Sequence, residues 1–227
     1  MKTSISVHEV FTSLQGEGTH IGIPTTFLRL VGCNKDCSWC DTGYGDNKIK
    51  IPVKEMTCDE VLFEIVKYPA NWVCITGGEP FMHSSSDLDR LVIRLHDAGF
   101  RISCETNASI QVPPNGALWP LLIDHIATSP KLPSSRCPIT KDELLAFARI
   151  WHKNMELKFV VMDIGDVKYA QELMEFLKEH GFDVPTTFTP VHGALKDVIA
   201  LYGDTAKLFQ DCDVRYLPQM HKALDMQ

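Results

Sequence analysis

The sequence predicts an α/β fold whose parallel sheet curls into a partial, open βα barrel. Three observations predict it. Apolar, β-branched runs alternate along the chain with segments of helical period, the mark of successive βαβ units. The chain has 227 residues, short of the roughly 250 typical of a closed eight-fold barrel. No internal repeat or low-complexity linker divides it, and a hydrophobic content of 44% can bury one sizeable core. Residues 1–227 are therefore read as a single domain.

Strands are expected first at Thr25–Val31 and Trp72–Thr76. Between them Thr57 and Glu60 have the form of a capping box, opening a helix with Val61, Leu62, Ile65 and Val66 on one face. Ser86 can cap the next helix, where Leu88, Leu91, Val92 and Leu95 make the core stripe and Gly99 stops it. Strands Arg101–Glu105 and Leu122–Ala127 follow. Lys131–Pro138 reads as a long loop, because prolines and serine pairs break any period. Strand Leu157–Met162 leads into a helix from about Asp166 to Gly181, with Val167, Ala170, Leu173, Met174 and Leu177 inward. Thr186–Thr189 and Val214–Leu217 complete the strands.

Lys plus Arg total 22 against 29 Asp plus Glu, a formal charge of -7. That balance disfavours a broad nucleic-acid surface, though not a local basic patch for a small anion. The N-terminus lacks the apolar core of a signal peptide, and no stretch approaches the roughly 20 apolar residues of a membrane span. A soluble, cytoplasmic protein is expected. There the eight cysteines are not a disulfide framework. Cys58, Cys74, Cys104, Cys137 and Cys212 are scattered and read as small, buried or semi-buried apolar residues.

The remaining three stand apart. Cys33, Cys37 and Cys40 have the pattern C-x3-C-x2-C on a loop leaving an apolar strand. Three thiolates this close can converge on a soft metal centre. Structural zinc usually takes four ligands, and no second CxxC or HxxxH pair follows. Three ligands on a 4Fe–4S cluster leave one iron open to the amino and carboxylate groups of S-adenosylmethionine. Electron transfer then cleaves the sulfonium C–S bond and yields a 5'-deoxyadenosyl radical. The alternatives are zinc completed by a distant histidine, or a redox pair with a bystander cysteine.

Polar groups recur at carboxyl strand ends, where βα folds build their sites. Gly77-Gly78-Glu79-Pro80 lets a ligand approach the backbone, with Glu79 a possible acceptor for an ammonium. Glu105-Thr106-Asn107 suits ribose hydroxyls or a carboxylate. Ser129-Pro130-Lys131 offers a hydroxyl, a rigid turn and a cation. Each alone would be an ordinary polar loop.

The cysteine spacing, with Trp39 before Cys40 and the glycine turn one helical unit later, is the hallmark of the radical S-adenosylmethionine superfamily. The chain resembles it along most of its length. The N-terminal Leu14-Gln15-Gly16-Glu17-Gly18, then Gly22-Ile-Pro24, Phe27-Leu-Arg29, Gly32-Cys33-Asn34 and Trp39-Cys40-Asp41-Thr42 closely resemble the 7-carboxy-7-deazaguanine synthase family. Pro218-Gln219-Met220-His221-Lys222 is similar to that family's late signature. The resemblance implies the TIM-like barrel of radical S-adenosylmethionine enzymes. It also implies ring contraction of 6-carboxy-5,6,7,8-tetrahydropterin to 7-carboxy-7-deazaguanine with release of ammonia, a lyase reaction serving queuosine and related deazapurines in tRNA or DNA.

Carried over residue by residue, Cys33, Cys37 and Cys40 would hold the cluster and Thr42 would bind Mg²⁺. Trp39, Cys40, Asp41, Gly78, Glu79, Ser129, Pro130 and Lys131 would surround the cofactor, joined by Glu105 and Asn107 from their place at a strand end and by Thr189 and Pro190 where the family has its own pair. Leu14, Gln15, Gly16, Glu17, Arg29, Thr76 and Gln227 would meet the substrate, Arg29 through its fork of donors to a carboxylate. No catalytic side chain is expected beyond the cofactor-bound radical. A homodimer and a reducing partner such as a flavodoxin are likewise implied. Two departures stand out: Thr189-Pro190 replaces a common Gln-Pro pair, and Met220 replaces a common threonine. A glycyl-radical activase shares the cysteine spacing but needs neither the Leu14–Gly18 motif nor a threonine at position 42. An iron–sulfur carrier would use a fourth cysteine.

Overall fold

A computed structural model describes residues 4–43, 52–209 and 213–224. β1 (Ile5–Leu14) runs antiparallel to β2 (Pro24–Leu30) on one side and to short β3 (Lys54–Met56) on the other. From β2 onward the sheet is parallel, adding β4 (Trp72–Gly77), β5 (Arg101–Thr106), β6 (His125–Thr128), β7 (Met155–Val161), β8 (Thr186–Pro190) and β9 (Val214–Tyr216) in turn. The edges β3 and β9 do not pair with one another. The architecture is thus the open, partial barrel that the alternation predicts.

α1 (Cys58–Ile65), α2 (Ser86–Asp97), α3 (Lys141–Trp151), α4 (Ile164–Glu179) and α5 (Leu195–Thr205) connect the strands, and α6 (Met220–Ala223) follows β9. None of the helices among the described residues is long and apolar enough to cross a membrane. The core lies between helices and sheet. Leu28, Ile75, Ile102, Leu157, Phe159 and Phe188 from the strands meet Val61, Leu91, Leu144 and Leu173 from the helices, all buried. Full burial of such a side chain contributes about 1.5–3 kcal/mol. Phe81 joins Trp119, Phe147 and Trp151 in an aromatic group with ring centroids 5.4–5.7 Å from its own.

Successive strand residues point to opposite faces. Phe27, Arg29, Thr76, Glu105, Lys158 and Val160 therefore face away from the helical core and line a cleft. Beneath it, the turn after β4 is fitted against the loop after β2. Gly78 N donates to Leu30 O at 3.2 Å, and Glu79 N donates to Gly32 O at 2.8 Å. A Cβ on Gly78 would lie 1.8 Å from Gly32 O, a clash that only glycine avoids.

Local details differ from the sequence pattern. Ser85, not Ser86, caps α2, accepting from Leu88 N. Leu122 ends a short 3-10 turn rather than starting a strand, so β6 begins at His125. Asp163 caps α4 and moves its start to Ile164. Pro133–Ser135 makes one 3-10 turn within the expected loop. β1 escapes periodicity because most of its residues are only partly buried; α3 carries a Thr140–Glu143 capping box that could have marked it. Cys58, Cys74 and Cys104 are buried as expected, and Cys212 lies outside the described residues.

Because a side chain at position 78 forces the backbones apart, Gly78→Ala should cost about 2 kcal/mol or more of stability. Denaturant titration of the two proteins measures this; an unchanged midpoint would contradict the close approach.

Candidate functional site

The cleft measures about 400 Å³ and is lined by residues from β1, β2, the cysteine loop and the carboxyl ends of β4 to β7. Cys33, Cys37 and Cys40 all line it, joined by Trp39, Asp41 and Thr42. Their loop is clamped by the turn after β6. Ser38 N donates to Ser135 O at 3.1 Å, and Trp39 Nε1 donates to Ser134 Oγ at 3.1 Å. Buried Asp166 in turn fixes Ser134, accepting from its backbone N–H and hydroxyl. On the other side Asn107 Nδ2 donates to Asn34 Oδ1 at 3.0 Å.

Three free thiols on one loop, facing one cleft, are the soft donor set that an iron–sulfur cluster takes. Among the described residues, no three His, Cys, Asp or Glu groups converge as a single-ion site would need. Burial pushes the Cys37 thiol up to about 12, against the opposing pull of Lys131. Burial also raises Cys33. Metal loading must therefore displace thiol protons. Cys137 is half-buried, within the expected range, but its sulfur lies 3.4 Å from that of Cys37, a neighbour the sequence did not indicate.

Glu79 is fully buried behind the glycine turn and does not line the cleft. It accepts from Phe81 N, Thr106 Oγ1 and Asn107 N at 2.7–3.0 Å. Burial raises its pKa, and those three donors pull it back. Its carboxylate thereby ties the end of β5 to the turn after β4. Lys131 lies over Trp39, Nζ 5.5 Å from the ring centroid, and donates to Ser129 Oγ at 3.1 Å.

The cleft's other half is built by the loop after β1. Leu14, Gln15, Gly16 and Glu17 line it. Glu17 contacts Lys158 Nζ and accepts from Gln219 Nε2. Gln15 Nε2 donates to Glu105 Oε1 at 3.3 Å, and Thr76 Oγ1 donates to Glu105 Oε2 at 2.7 Å. Arg29 stands beside them, its Nε 3.4 Å from Glu9 Oε1 and its guanidinium 5.3 Å from the Phe11 ring centroid. Phe11 stacks on Phe27 at 5.1 Å, giving the cleft an apolar wall.

The same loop is anchored deeper in the barrel. Thr19 N donates to Glu156 Oε2 at 2.7 Å, and a Cβ at Gly18 would collide with that carboxylate. His125 Nε2 lies 3.5 Å from Glu156 Oε1. Burial and the adjacent His20 ring hold His125 down at about 4, so the contact is no ion pair at neutral pH. At the C-terminal side, Met220 N donates to Gly16 O at 2.8 Å. Lys222 Nζ reaches Val191 O at 3.0 Å and Asp41 Oδ2 at 3.7 Å.

Of the residues singled out by sequence, the fold brings the three cysteines, Trp39, Asp41, Thr42, Gly78, Glu105, Asn107, Ser129, Lys131, Leu14 to Glu17, Arg29 and Thr76 to one cleft. Pro130 and Thr189 are buried without lining it, and Pro190 lines a separate cavity of about 220 Å³. Gln227 lies outside the described residues. Sequence reasoning missed Lys158 and Phe11, and gave no site role to Phe27, Gln219 and Lys222 although they stand in the motifs that carry the resemblance. The signal for Lys158 was a lone cation inside the apolar run Met155–Val161.

An open βα barrel with a three-cysteine loop at its strand ends defines the radical S-adenosylmethionine class, and residues 28–115 match the model of the Radical SAM superfamily. That class implies a 4Fe–4S cluster and S-adenosylmethionine. The 7-carboxy-7-deazaguanine synthase of Methanopyrus kandleri is 32% identical, over 97% of this chain and 94% of the relative. That of Thermoplasma acidophilum is 32% identical over 96% of each. The crystal structure of QueE from Escherichia coli covers 94% of this chain and 93% of its own, at a TM-score of 0.66 and 26% identity. This chain belongs to the 7-carboxy-7-deazaguanine synthase family.

His125 has its folded pKa depressed from 6.5 to about 4. The folded state thus binds fewer protons, and the associated stability, present above pH 6.5, is lost as pH falls toward 4. Thermal unfolding across that window should show His125→Gln less acid-sensitive than the wild type; parallel curves would refute it.

Proposed function

We propose that this chain converts 6-carboxy-5,6,7,8-tetrahydropterin to 7-carboxy-7-deazaguanine with release of ammonia, by radical S-adenosylmethionine chemistry. One observation carries the reading: the cleft that presents three thiols also presents the Gln15, Glu17 and Glu105 groups, so radical initiator and heterocycle would share one cavity. When bound, the cluster and S-adenosylmethionine supply a hydrogen-abstracting radical. Cys33, Cys37 and Cys40 would hold the cluster. Trp39, Asp41, Gly78, Asn107, Ser129 and Lys131 would line the cofactor, with Glu79 bracing the turn from behind. Thr189 and Pro190 would have only an indirect part there, being off the cleft surface.

Arg29 would pair with the substrate carboxylate. Glu105, expected at the cofactor, accepts instead from Gln15 and Thr76 of the substrate half, and would join Glu17 in receiving the amine-bearing edge of the pterin ring, with Gln15 beside them. Phe11 and Phe27 offer the ring an apolar face. Thr42 lines the cleft with its hydroxyl 3.2 Å from Asp41 Oδ1, an oxygen donor of the kind Mg²⁺ accepts. The ion would orient the substrate and offset developing charge. A homodimer, a flavodoxin-type reductant and a cytoplasmic setting complete the proposal, the last favoured by free thiols that need a reducing compartment. A glycyl-radical activase would have no use for the Gln15–Glu17 half of the cleft.

The test is anaerobic reconstitution, then incubation with reductant, S-adenosylmethionine, Mg²⁺ and carboxytetrahydropterin, following deazapurine by chromatography. 5'-Deoxyadenosine without deazapurine would sink the substrate assignment and leave the class intact. Alanine at Cys33, Cys37 or Cys40 should abolish iron binding, whereas Cys58→Ala should retain it; iron analysis decides. Thr42→Ala should blunt the response of the rate to Mg²⁺ while keeping the cluster, and an unaltered response would remove the assigned role.

A further inference from the structure

Every residue of β7 is buried, and Lys158 sits at its centre with a side chain 5% exposed. A charge in that position persists only when paired. Glu17 contacts the ammonium directly and Glu105 lies 3.9 Å away. Burial opposes the charge, but Glu105 and Glu17 outweigh it and raise the Lys158 pKa above its ordinary value. One ammonium between two carboxylates leaves that trio with a formal charge of minus one, with the Arg29 guanidinium nearby on the same cleft wall and Glu156 as a further carboxylate acting on Lys158.

Both carboxylates are then steered by neighbours. Gln219 donates to Glu17; Gln15 and Thr76 donate to opposite oxygens of Glu105. The Glu105 side chain stays 23% exposed, and a carboxylate has about four acceptor positions. Such a floor attracts an edge made of N–H donors and repels one made of carbonyl or ring-nitrogen acceptors.

We infer that Lys158 is a positioning residue for the substrate, holding Glu17 and Glu105 as the acceptor pair that selects a heterocycle with an amino-bearing edge. The inference rests on the pterin reading above and deepens it. Lys158 touches neither the cluster loop nor Arg29 in any described hydrogen bond or ion pair, so its effect should separate from cofactor binding.

The experiment measures, on the reconstituted full chain, binding of carboxytetrahydropterin and of its analogue lacking the 2-amino group. Lys158→Met should weaken pterin binding by about 10-fold or more and shrink the preference over the analogue, with S-adenosylmethionine affinity unchanged. Lys158→Arg should recover part of the preference. Because Lys158 acts through Glu17, adding Lys158→Met to a Glu17→Gln background should cost much less than in the wild type. Equal pterin preference in wild type and Lys158→Met, or fully additive losses, would overturn the inference. If Lys158→Met alone does not fold, the charge-balanced double variant and Lys158→Arg carry the same comparison. Failure of the wild type to bind pterin would instead reject the substrate reading.

Discussion

The buried pair of Lys158 and Glu17 joins the loop after β1 to the middle of β7, and the cleft takes its shape from that link. Removing two charges from water costs several kcal/mol per ion before any attraction is counted. The arrangement is stable because the pair is not alone. Glu105 supplies a second carboxylate, Gln219 donates to Glu17, and Gln15 and Thr76 donate to Glu105. Deeper in the barrel Glu156 holds Thr19 of the same loop. A polar, glycine-containing segment is thus made part of the barrel interior by polar contacts, not by apolar burial.

The cysteine loop is organised on a different principle. It has little apolar anchorage, and its position comes from backbone hydrogen bonds and close approach. Gly78 presses against Gly32, Ser38 and Trp39 dock on the turn at Ser134, and Asp166 fixes that turn from the start of α4. Glu79 spends its three contacts on the ends of neighbouring strands. The residue that sequence reasoning reads as a ligand for an ammonium is, in its observed place, the brace that aligns two strand ends. Rigid placement of the thiols follows from these braces, and a cluster site needs its ligands fixed on supported backbone.

Much of this was legible in one dimension. The 3.6 and 2 residue periods located β2, β4, β5, β7 and β8, and the capping box at Thr57 located α1. Open architecture followed from chain length. β1 was not legible, since its partly buried residues blur the alternation and its partners β2 and β3 are what make it a strand. Boundaries moved by one or two residues where a cap could be chosen between neighbours, as with Ser85 against Ser86.

For the site, the sequence by itself determined the chemistry: three thiols at C-x3-C-x2-C, a glycine turn, and acids and amides at strand ends. Those are properties of residue type and spacing, which the chain carries before it folds. Tertiary structure alone decided which groups meet. It set Lys158 against Glu17, brought Gln219 from the far end of the chain onto the same carboxylate, and put Cys137 beside Cys37. The partners in these contacts lie 100 to 202 positions apart. No local period encodes such separations, because they depend on how far the sheet curls and on which face each strand residue presents.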